Sequence, residues 1–171
     1  NKSEIPWDGE TRGDLWCKGA AVVKRYLKME EDAVDDDSWF NTGDVATIDS
    51  NGYMRITDRS KDVIKSGGEW ISSIDLENAA VGHPDVAEAA AVGVPHPKWD
   101  ERPILVIVTK DGKEADKNSI IDHVANKIAK WQKPDDVIFV PEIPHTATGK
   151  ISKLELRKVI SDLNYKHPDT L

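Results

Sequence analysis

The first third of the chain carries short runs in which apolar and polar positions alternate, a pattern typical of β-strands. Residues 13–19 predict a short strand between glycines, and residues 45–48 and 53–57 predict a hairpin closed by Asp-Ser-Asn-Gly. Residues 20–29 predict a short helix, and the Thr-Gly-Asp sequence at residues 42–44 predicts a turn that presents a carboxylate. This part of the chain is therefore expected to be mostly β.

A charged stretch and a glycine pair mark the middle of the chain. Residues 58–62 carry both charges, Val63 and Ile64 follow, and Lys65 then precedes a Ser-Gly-Gly sequence. Glycine lets a backbone bend tightly or lie close to a ligand, so this segment predicts a surface hairpin with Trp70 beside its turn. The chain before this stretch and the chain after it look like parts of two different domains.

Helical and extended patterns alternate in the rest of the chain. Ser72 or Ser73 can cap a helix that runs to about Val81, with acidic residues near its positive end. Three apolar runs predict strands, at residues 86–94, 104–108 and 137–140. The second run is apolar on both faces and should be central. Loops are expected at residues 95–99 and at Asp111-Gly112.

Two further helices follow from apolar residues spaced three and four apart. The first carries Ile121, Val124, Ala125 and Ile128 and should end at Lys133-Pro134. The second carries Leu156, Val159, Ile160 and Leu163. Strands that alternate with helices over about 110 residues predict a compact α+β or α/β domain.

Composition narrows the classes of protein. The chain has 171 residues, a net charge of −8, 39% hydrophobic and 32% charged residues, which suits a soluble globular protein. No basic stripe supports nucleic-acid binding, and no apolar run approaches the roughly 20 residues of a membrane span. Cys17, the single cysteine, excludes an internal disulfide and fits a reducing, cytoplasmic compartment. The first residues carry neither an initiator Met nor a signal-like core, so a longer parent protein is expected.

Two site types fail on their spacing. A phosphate-binding P-loop at Gly149-Lys150 would need glycine at position 144, where proline stands, and Ser or Thr at position 151, where isoleucine stands. A zinc site would have to use four histidines whose spacing matches no common ligand pattern, so no metal site is expected. These are His83, His96, His123 and His145. The acidic residues between 30 and 37 are interpreted as a solvated loop.

Four separated segments, in order and with matching spacing, resemble the adenylate-forming enzymes. They are residues 39–44 (Trp-Phe-Asn-Thr-Gly-Asp), 58–62 (Asp-Arg-Ser-Lys-Asp), 65–72 (Lys-Ser-Gly-Gly-Glu-Trp-Ile-Ser) and 144–150 (Pro-His-Thr-Ala-Thr-Gly-Lys). The amino-acid sequence of the third segment is most similar to that of medium- and long-chain fatty acyl-CoA synthetases and of methylmercaptopropionate-CoA ligases. The resemblance covers nearly the whole chain.

The resemblance implies an α+β fold: a small C-terminal lid domain, in which helices flank a central sheet, after a mostly β tail of a large N-terminal domain. Residues 1–58 would be that tail and residues 59–171 the lid. The implied function is ATP-dependent activation of a carboxylic acid as acyl-AMP and its transfer to CoA, with Mg²⁺ as a further cofactor. The implied partners are the acid, ATP, CoA and the protein's own N-terminal domain, with a homo-oligomer left open. The chain alone is expected to be inactive, since the phosphate loop and acyl pocket lie upstream.

The resemblance also assigns roles to single residues. Lys150 matches the adenylation lysine, which would bridge the carboxylate and the α-phosphate. Asp44 matches the ribose-binding aspartate, and Arg59 a residue near the ribose and phosphate. Lys61 lies at the hinge position. Each has an ordinary alternative: a solvated lysine for Lys150, a turn-stabilising carboxylate for Asp44 and a surface ion pair for Arg59.

The glycine turn is assigned to the second half-reaction. Gly67 and Gly68 would let the backbone approach the pantetheine arm of CoA, and Lys65 matches a position that faces the active site in some relatives. Trp70 either lines that tunnel or packs in the core. The substrate that the resemblance favours is a medium- or long-chain fatty acid. The alternatives are a short acid such as methylmercaptopropionate, or a non-catalytic interaction module that keeps the lid fold.

Overall fold

The computed structural model describes residues 3–111, 113–163 and 165–168. The chain divides into two compact units, Asn1–Lys61 and Asp62–Leu171. The division falls three residues after the predicted boundary at residue 58. Whether the two units are parts of the two domains of a longer enzyme stays a prediction.

Unit 1 contains a three-stranded antiparallel sheet. Its strands are β1 (Gly13–Cys17), β2 (Phe40–Ile48) and β3 (Met54–Arg59), in that spatial order. The predicted hairpin joins β2 to β3, with the amide of Asp49 donating to the carbonyl of Tyr53 over 3.0 Å. Gly52 closes the turn at φ +83°, a backbone region that favours glycine. The predicted strand at residues 13–19 and this hairpin are confirmed.

Two predictions for unit 1 are wrong. Residues 20–29 form turns and bends instead of a helix. Lys28 has φ 65°, which no right-handed helix accommodates, and Leu27 is 90% exposed, so a helix here would have no buried face. The Thr-Gly-Asp sequence lies within β2 instead of forming a turn. Gly43 at φ +73° bends the strand, and the β2–β3 register shifts between Val45 and Ala46.

Unit 2 is built around one mixed sheet. Its strands are β4 (Ile64–Ser66), β5 (Glu69–Ile71), β6 (Val86–His96), β7 (Asp100–Thr109) and β8 (Asp136–Phe139). Strand β7 is central, as predicted: it pairs antiparallel with β6 along its length, parallel with β8, and with β4 at its first residue. The glycine turn joins β4 to β5, which confirms the predicted hairpin.

Helices cover both faces of this sheet. They are α1 (Ser73–Val81), α2 (Lys117–Ala125) and α3 (Lys153–Asp162), with a 3₁₀ turn at Lys130–Gln132. Alternate residues of β6 and β7 enter two cores: Ala91 and Leu105 pack with α1 and α2, while Val92 and Val106 pack with α3. The predicted α+β arrangement of a central sheet between helices is confirmed.

The ends of several elements differ from the prediction. Ser72 caps α1, its Oγ accepting from the amide of Asp75 over 3.1 Å, as expected. Helix α2 ends at Ala125, well before Lys133-Pro134, although Ile128 still packs against the core. Strand β6 continues through Pro95 to His96. It is an edge strand, so the N–H that proline lacks is not needed for a bond to a further strand. The predicted loop therefore shortens to residues 97–99, and Gly112 of the predicted turn lies outside the described residues.

Candidate functional site

Asp44 and Arg59 lie opposite each other on β2 and β3. The Nε of Arg59 lies 3.0 Å from Oδ1 of Asp44, and the arginine side chain remains 57% exposed. The structure therefore contains the surface ion pair of the alternative interpretation of Arg59. Its partner is Asp44, whereas the sequence suggested Asp58 or Asp62. Oδ2 of Asp44 and the two terminal nitrogens of Arg59 remain candidates for contact with a ligand.

The glycine turn brings four candidate residues together. Lys65 pairs with Trp70 across the β4–β5 ladder, and Gly67 and Gly68 close it at φ 61° and 88°. The Lys65 side chain is exposed and Trp70 is half-buried. The amide of Gly67 donates to the carbonyl of Trp99 over 2.8 Å. A Cβ on Gly67 would lie 2.9 Å from the Trp99 ring, so this close approach requires glycine.

A cavity of about 940 Å³ opens beside this turn. Its walls come from the tip of the β4–β5 hairpin, the β6–β7 turn, the 3₁₀ turn and residues 167–168. Trp99 and Trp131 present rings that are 42% and 45% exposed, and Lys130 lies on the rim. Aromatic faces and a cation are the groups that bind a nucleotide base and a phosphate.

Arg102 holds three of these walls together. Its guanidinium donates to both carboxylate oxygens of Asp135, at 2.8 and 2.6 Å, and to the Oγ of Ser66. Two further bonds reach the carbonyls of Trp131 and Lys133. Arginine has five N–H donors, so every donor of Arg102 is used. Arg102 is thus a structural tie and not a group free to bind a phosphate.

Asp135 completes this tie from the other side. Burial alone would raise the pKa of Asp135, but the hydrogen bonds and charge of Arg102, with a smaller contribution from His167, lower the pKa below its ordinary value of 3.8. Nε2 of the buried His167 lies 3.0 Å from Oδ2 of Asp135, and its ring packs edge-on against His96. The carboxylate therefore stays ionised and anchors the cavity wall.

Lys150 lies elsewhere in unit 2. It is exposed, and within the described part of the chain no ion pair engages its ammonium group. Its loop contacts β6 near the start of the strand, through His145 and Glu88. The glycine turn contacts Trp99, just beyond the last residue of β6, His96. Eight residues of strand separate the two places, a distance of about 26 Å at 3.3 Å per residue.

Lys61 lies between two anchored neighbours. On one side, the amide of Ser60 donates to the carbonyl of Gly43 and its hydroxyl to Asp14, both over 2.9 Å, within unit 1. On the other side, Asp62 accepts from Arg157 of α3 over 3.1 Å, within unit 2. The predicted hinge, Lys61, is the last residue of unit 1, and its two neighbours are bonded within unit 1 and unit 2, respectively.

The cavity residues escaped sequence analysis. Trp99, Arg102, Trp131, Asp135 and His167 come from three separate segments, and no spacing rule links them. Trp99, two residues after the Pro-His-Pro sequence of a predicted loop, was the one available signal, and it is not specific.

The four histidines weighed as zinc ligands lie in three places. His83 packs against His123, His96 packs against His167, and His145 pairs with Glu88. Among residues 3–111, 113–163 and 165–168, no group of three or more metal-ligand side chains occurs. None of these residues is therefore assigned to Mg²⁺.

Comparison with known proteins shows what this chain is similar to. Residues 75–150 match the family described as the AMP-binding enzyme C-terminal domain. The matched segment begins within α1 and covers strands β6 to β8, α2 and the loop that ends at Lys150. No helix in the described part of the chain has the length and hydropathy of a membrane span.

The curated relatives that this chain matches are acid–CoA ligases. It is 54% identical over 159 residues to the 3-methylmercaptopropionyl-CoA ligase of Ruegeria pomeroyi, covering 93% of this chain and 30% of that ligase. It is 48% identical over 158 residues to the long-chain-fatty-acid–CoA ligase of Thermus thermophilus, covering 90% of this chain and 29% of the relative. The chain thus spans about 30% of the length of the curated relatives it matches.

A solved structure agrees with these relatives. ATP-bound MatB from Rhodopseudomonas palustris superposes with a TM-score of 0.81 at 32% identity, covering 94% of this chain and 32% of MatB. The resemblance to adenylate-forming acyl-CoA synthetases, drawn from four short segments, is confirmed. The roles of the individual site residues stay predictions.

Proposed function

We propose that this chain is the C-terminal part of an AMP-forming acid–CoA ligase, and that Lys150 acts in its first half-reaction. The observation that carries the proposal is the exposed Lys150 ammonium group, which no ion pair engages in the described residues. In that half-reaction a carboxylate attacks the α-phosphorus of ATP, giving acyl-AMP and pyrophosphate. Two anions must approach each other, so a cation aimed at the developing charge stabilises the transition state.

We assign Asp44 and Arg59 to the nucleotide. A carboxylate oxygen accepts hydrogen bonds from vicinal ribose hydroxyls. Arg59 Nε contacts Oδ1 of Asp44, so Oδ2 is the oxygen proposed to accept from the ribose. The exposed terminal nitrogens of Arg59 can donate to a phosphate. Arg59 would therefore have two roles: it would orient the Asp44 carboxylate toward the ribose, and it would donate hydrogen bonds to a phosphate.

The cavity beside the glycine turn suits CoA. Gly67 and Gly68 present backbone without side chains to the pantetheine arm, Trp99 and Trp131 offer ring faces to the adenine, and Lys130 offers charge to a phosphate. Lys65 and Trp70 lie on the same hairpin, where they would flank the thiol end. The CoA thiol then attacks the acyl carbon, and AMP leaves.

The Lys150 loop contacts β6 at Glu88, and the glycine turn lies beyond the other end of this strand, about 26 Å further along it. We expect that motifs held at opposite ends of one strand reach the same acyl group only in different poses. We infer that the second unit rotates about Lys61, so that Lys150 serves adenylation and the glycine turn serves thioester formation. Such a motion also shields the adenylate from water between the steps.

The acid is proposed to be a medium- or long-chain fatty acid. The 54% identity to a 3-methylmercaptopropionyl-CoA ligase keeps that short acid as a second candidate. A screen of carboxylic acids for pyrophosphate release by the longer ligase would distinguish the two candidate acids, since one class should support release at least 10-fold faster.

A cytoplasmic location is proposed as well. It fits the free Cys17, which stays reduced there.

The proposal is tested by separating the half-reactions of that ligase. Lys150→Ala should abolish ATP-dependent pyrophosphate release, because the cation that stabilises the first transition state is lost. The same variant should keep thioester formation from supplied acyl-AMP and CoA, since that step uses the other end of the unit. Loss of both activities alike would contradict the role of Lys150. A wild-type enzyme that adenylates no acid would favour the non-catalytic interaction module.

A further inference from the structure

The loop that carries Lys150 fixes its own shape. The amide of Thr146 donates to the carbonyl of Lys150 over 2.7 Å, and the amide of Gly149 donates to the carbonyl of Thr146 over 2.9 Å. At the stem, the amide of Ser152 donates to the carbonyl of Pro144 over 2.8 Å. These bonds are all internal to residues 144–152. They set the form of the loop but not its orientation on the sheet.

Two kinds of contact attach the loop to the sheet. Ile143 is 3% exposed and packs with Ile151 against the core on the α3 face. Apolar contacts are not directional, so they hold the stem down without fixing its rotation. The second contact is polar: Nε2 of His145 lies 2.5 Å from Oε1 of Glu88 on β6. It is the directional link between this loop and the sheet in the described residues.

The position of Lys150 depends on this stem. His145 pairs with Ile151 in a β-bridge, directly beside Lys150. Neighbouring residues of an extended strand point to opposite sides, so an inward Ile151 turns Lys150 outward. A change in the angle of His145 against β6 therefore moves the lysine ammonium.

We propose that Glu88 is a positioning residue for adenylation, acting through His145 to aim Lys150. The inference rests on the proposed function of Lys150. A hydrogen bond from an imidazole N–H to a carboxylate is charge-assisted, and such bonds are shorter and stronger than neutral ones. Glu88 itself touches no substrate. Its loss should change where the Lys150 ammonium lies in the transition state and leave substrate binding unchanged.

The test measures each half-reaction in the longer ligase. Glu88→Gln should lower kcat for pyrophosphate release about 10- to 100-fold, because misplacement of a catalytic group by about 1 Å costs this much. The KM values for ATP and acid should change less than about twofold, and thioester formation from supplied acyl-AMP should be unchanged. Glu142→Gln is the matched control: Glu142 is an exposed carboxylate in the same segment, and its loss should leave both steps at wild-type rates.

Variants of His145 separate positioning from simple folding. His145→Arg keeps a hydrogen-bond donor for Glu88 and should retain most adenylation, whereas His145→Leu should match Glu88→Gln. The double variant Glu88→Gln/His145→Leu should be no slower than either single variant, since both remove one contact. Additive losses, or equal losses in both half-reactions with a lower melting temperature, would overturn the inference.

The failure of the inference is distinct from that of the proposed function. An active wild type with an equally active Glu88→Gln variant would overturn the role of Glu88 alone. A wild type without adenylation would overturn the proposed function, and the role of Glu88 with it.

Discussion

At the scale of single residues, the two glycines of the β4–β5 turn differ in what surrounds them. A Cβ on Gly67 would lie 2.9 Å from the Trp99 ring, whereas a Cβ on Gly68 would meet nothing within 4 Å. Both have positive φ, so an alanine at either position carries backbone strain of about 1–2 kcal/mol. Only the substitution of Gly67 adds a steric clash, and this difference makes Gly68 a matched control.

We predict that Gly67→Ala lowers the thermal midpoint more than Gly68→Ala does. In the longer ligase, Gly67→Ala should also slow thioester formation from supplied acyl-AMP more than Gly68→Ala does, because the hairpin must move off the Trp99 wall. Pyrophosphate release should remain at the wild-type rate for both variants. Differential scanning calorimetry and the two half-reaction assays check these outcomes. Equal effects of the two alanines would contradict the role of the Trp99 contact.

His123 on α2 has a pKa below its ordinary value of 6.5. Burial is the main cause, and the charges of Lys127 and His83 add to it, while the nearby carbonyl of Ala79 acts the other way. Its Nε2 is buried without a hydrogen-bond partner among the described residues. The folded state therefore prefers the neutral ring. This preference stabilises the fold fully above pH 6.5 and is lost as the pH falls through the folded pKa.

We predict that His123→Phe reduces the loss of free energy of unfolding that occurs when the pH falls from 7.5 to 5.5. Between pH 7.5 and 5.5, the wild type should lose free energy of unfolding, because its unfolded state binds a proton at this position more readily. The Phe variant lacks that proton and keeps the apolar contact with α1. Urea unfolding of this chain at both pH values measures the difference. Parallel loss in wild type and variant would show that other groups account for the pH dependence.

At the scale of elements, a nearly buried ion pair ties α3 to α1 within unit 2, in addition to the pair between Arg157 and Asp62. Nζ of Lys153 lies 2.9 Å from the carboxylate of Glu77 on α1, and the two side chains are only 10% and 16% exposed. The same carboxylate accepts from the amide of Ala91 on β6 over 2.9 Å. Because β6 is an edge strand, Glu77 also satisfies a backbone donor that the sheet leaves unpaired.

We predict that Lys153→Met destabilises the chain by about 3 kcal/mol, because it leaves the Glu77 carboxylate buried without its cation. Lys158→Met is the control on the same helix, since Lys158 pairs with Glu155 in a geometry that is 62% and 51% exposed. An exposed pair contributes about 0.5 kcal/mol or less. Urea unfolding followed by circular dichroism distinguishes the two, and similar losses would argue against a buried tie.

The elements predicted correctly are those whose pattern is local. The apolar run at residues 104–108 and the spacing of Leu156 and Ile160 each specify a buried face without reference to the rest of the chain. The helix expected at residues 20–29 failed because its apolar residues have no surface to pack against. Amphipathic spacing stabilises a helix only where a partner buries it.

The candidate site divides in the same way. Lys150 and the glycine turn lie on short motifs and could be assigned by resemblance. Arg102 and Asp135 could not, because their roles arise from bonds between segments more than 30 residues apart. Glu88 gave no signal at all until the loop at His145 lay against it.

At the scale of the whole molecule, the two compact units meet in sequence at Lys61 and Asp62. The neighbours of Lys61 are each bonded within their own unit, Ser60 to Asp14 and Asp62 to Arg157. Anchors this close confine any change of backbone angle to very few residues. A hinge of this kind absorbs large changes in φ and ψ at one or two positions.

We predict that Lys61→Pro impairs the passage between the two half-reactions. Proline fixes φ near −65° and removes a backbone donor, so the pivot would accept one pose and resist the other. In the longer ligase, one half-reaction should then fall much further than the other, and overall turnover should follow the slower one. Lys61→Ala removes the side chain without restricting φ and should retain both steps. Pyrophosphate release and thioester formation, measured separately, decide the matter: equal rates in both half-reactions of the proline variant would show that rotation at Lys61 is not needed.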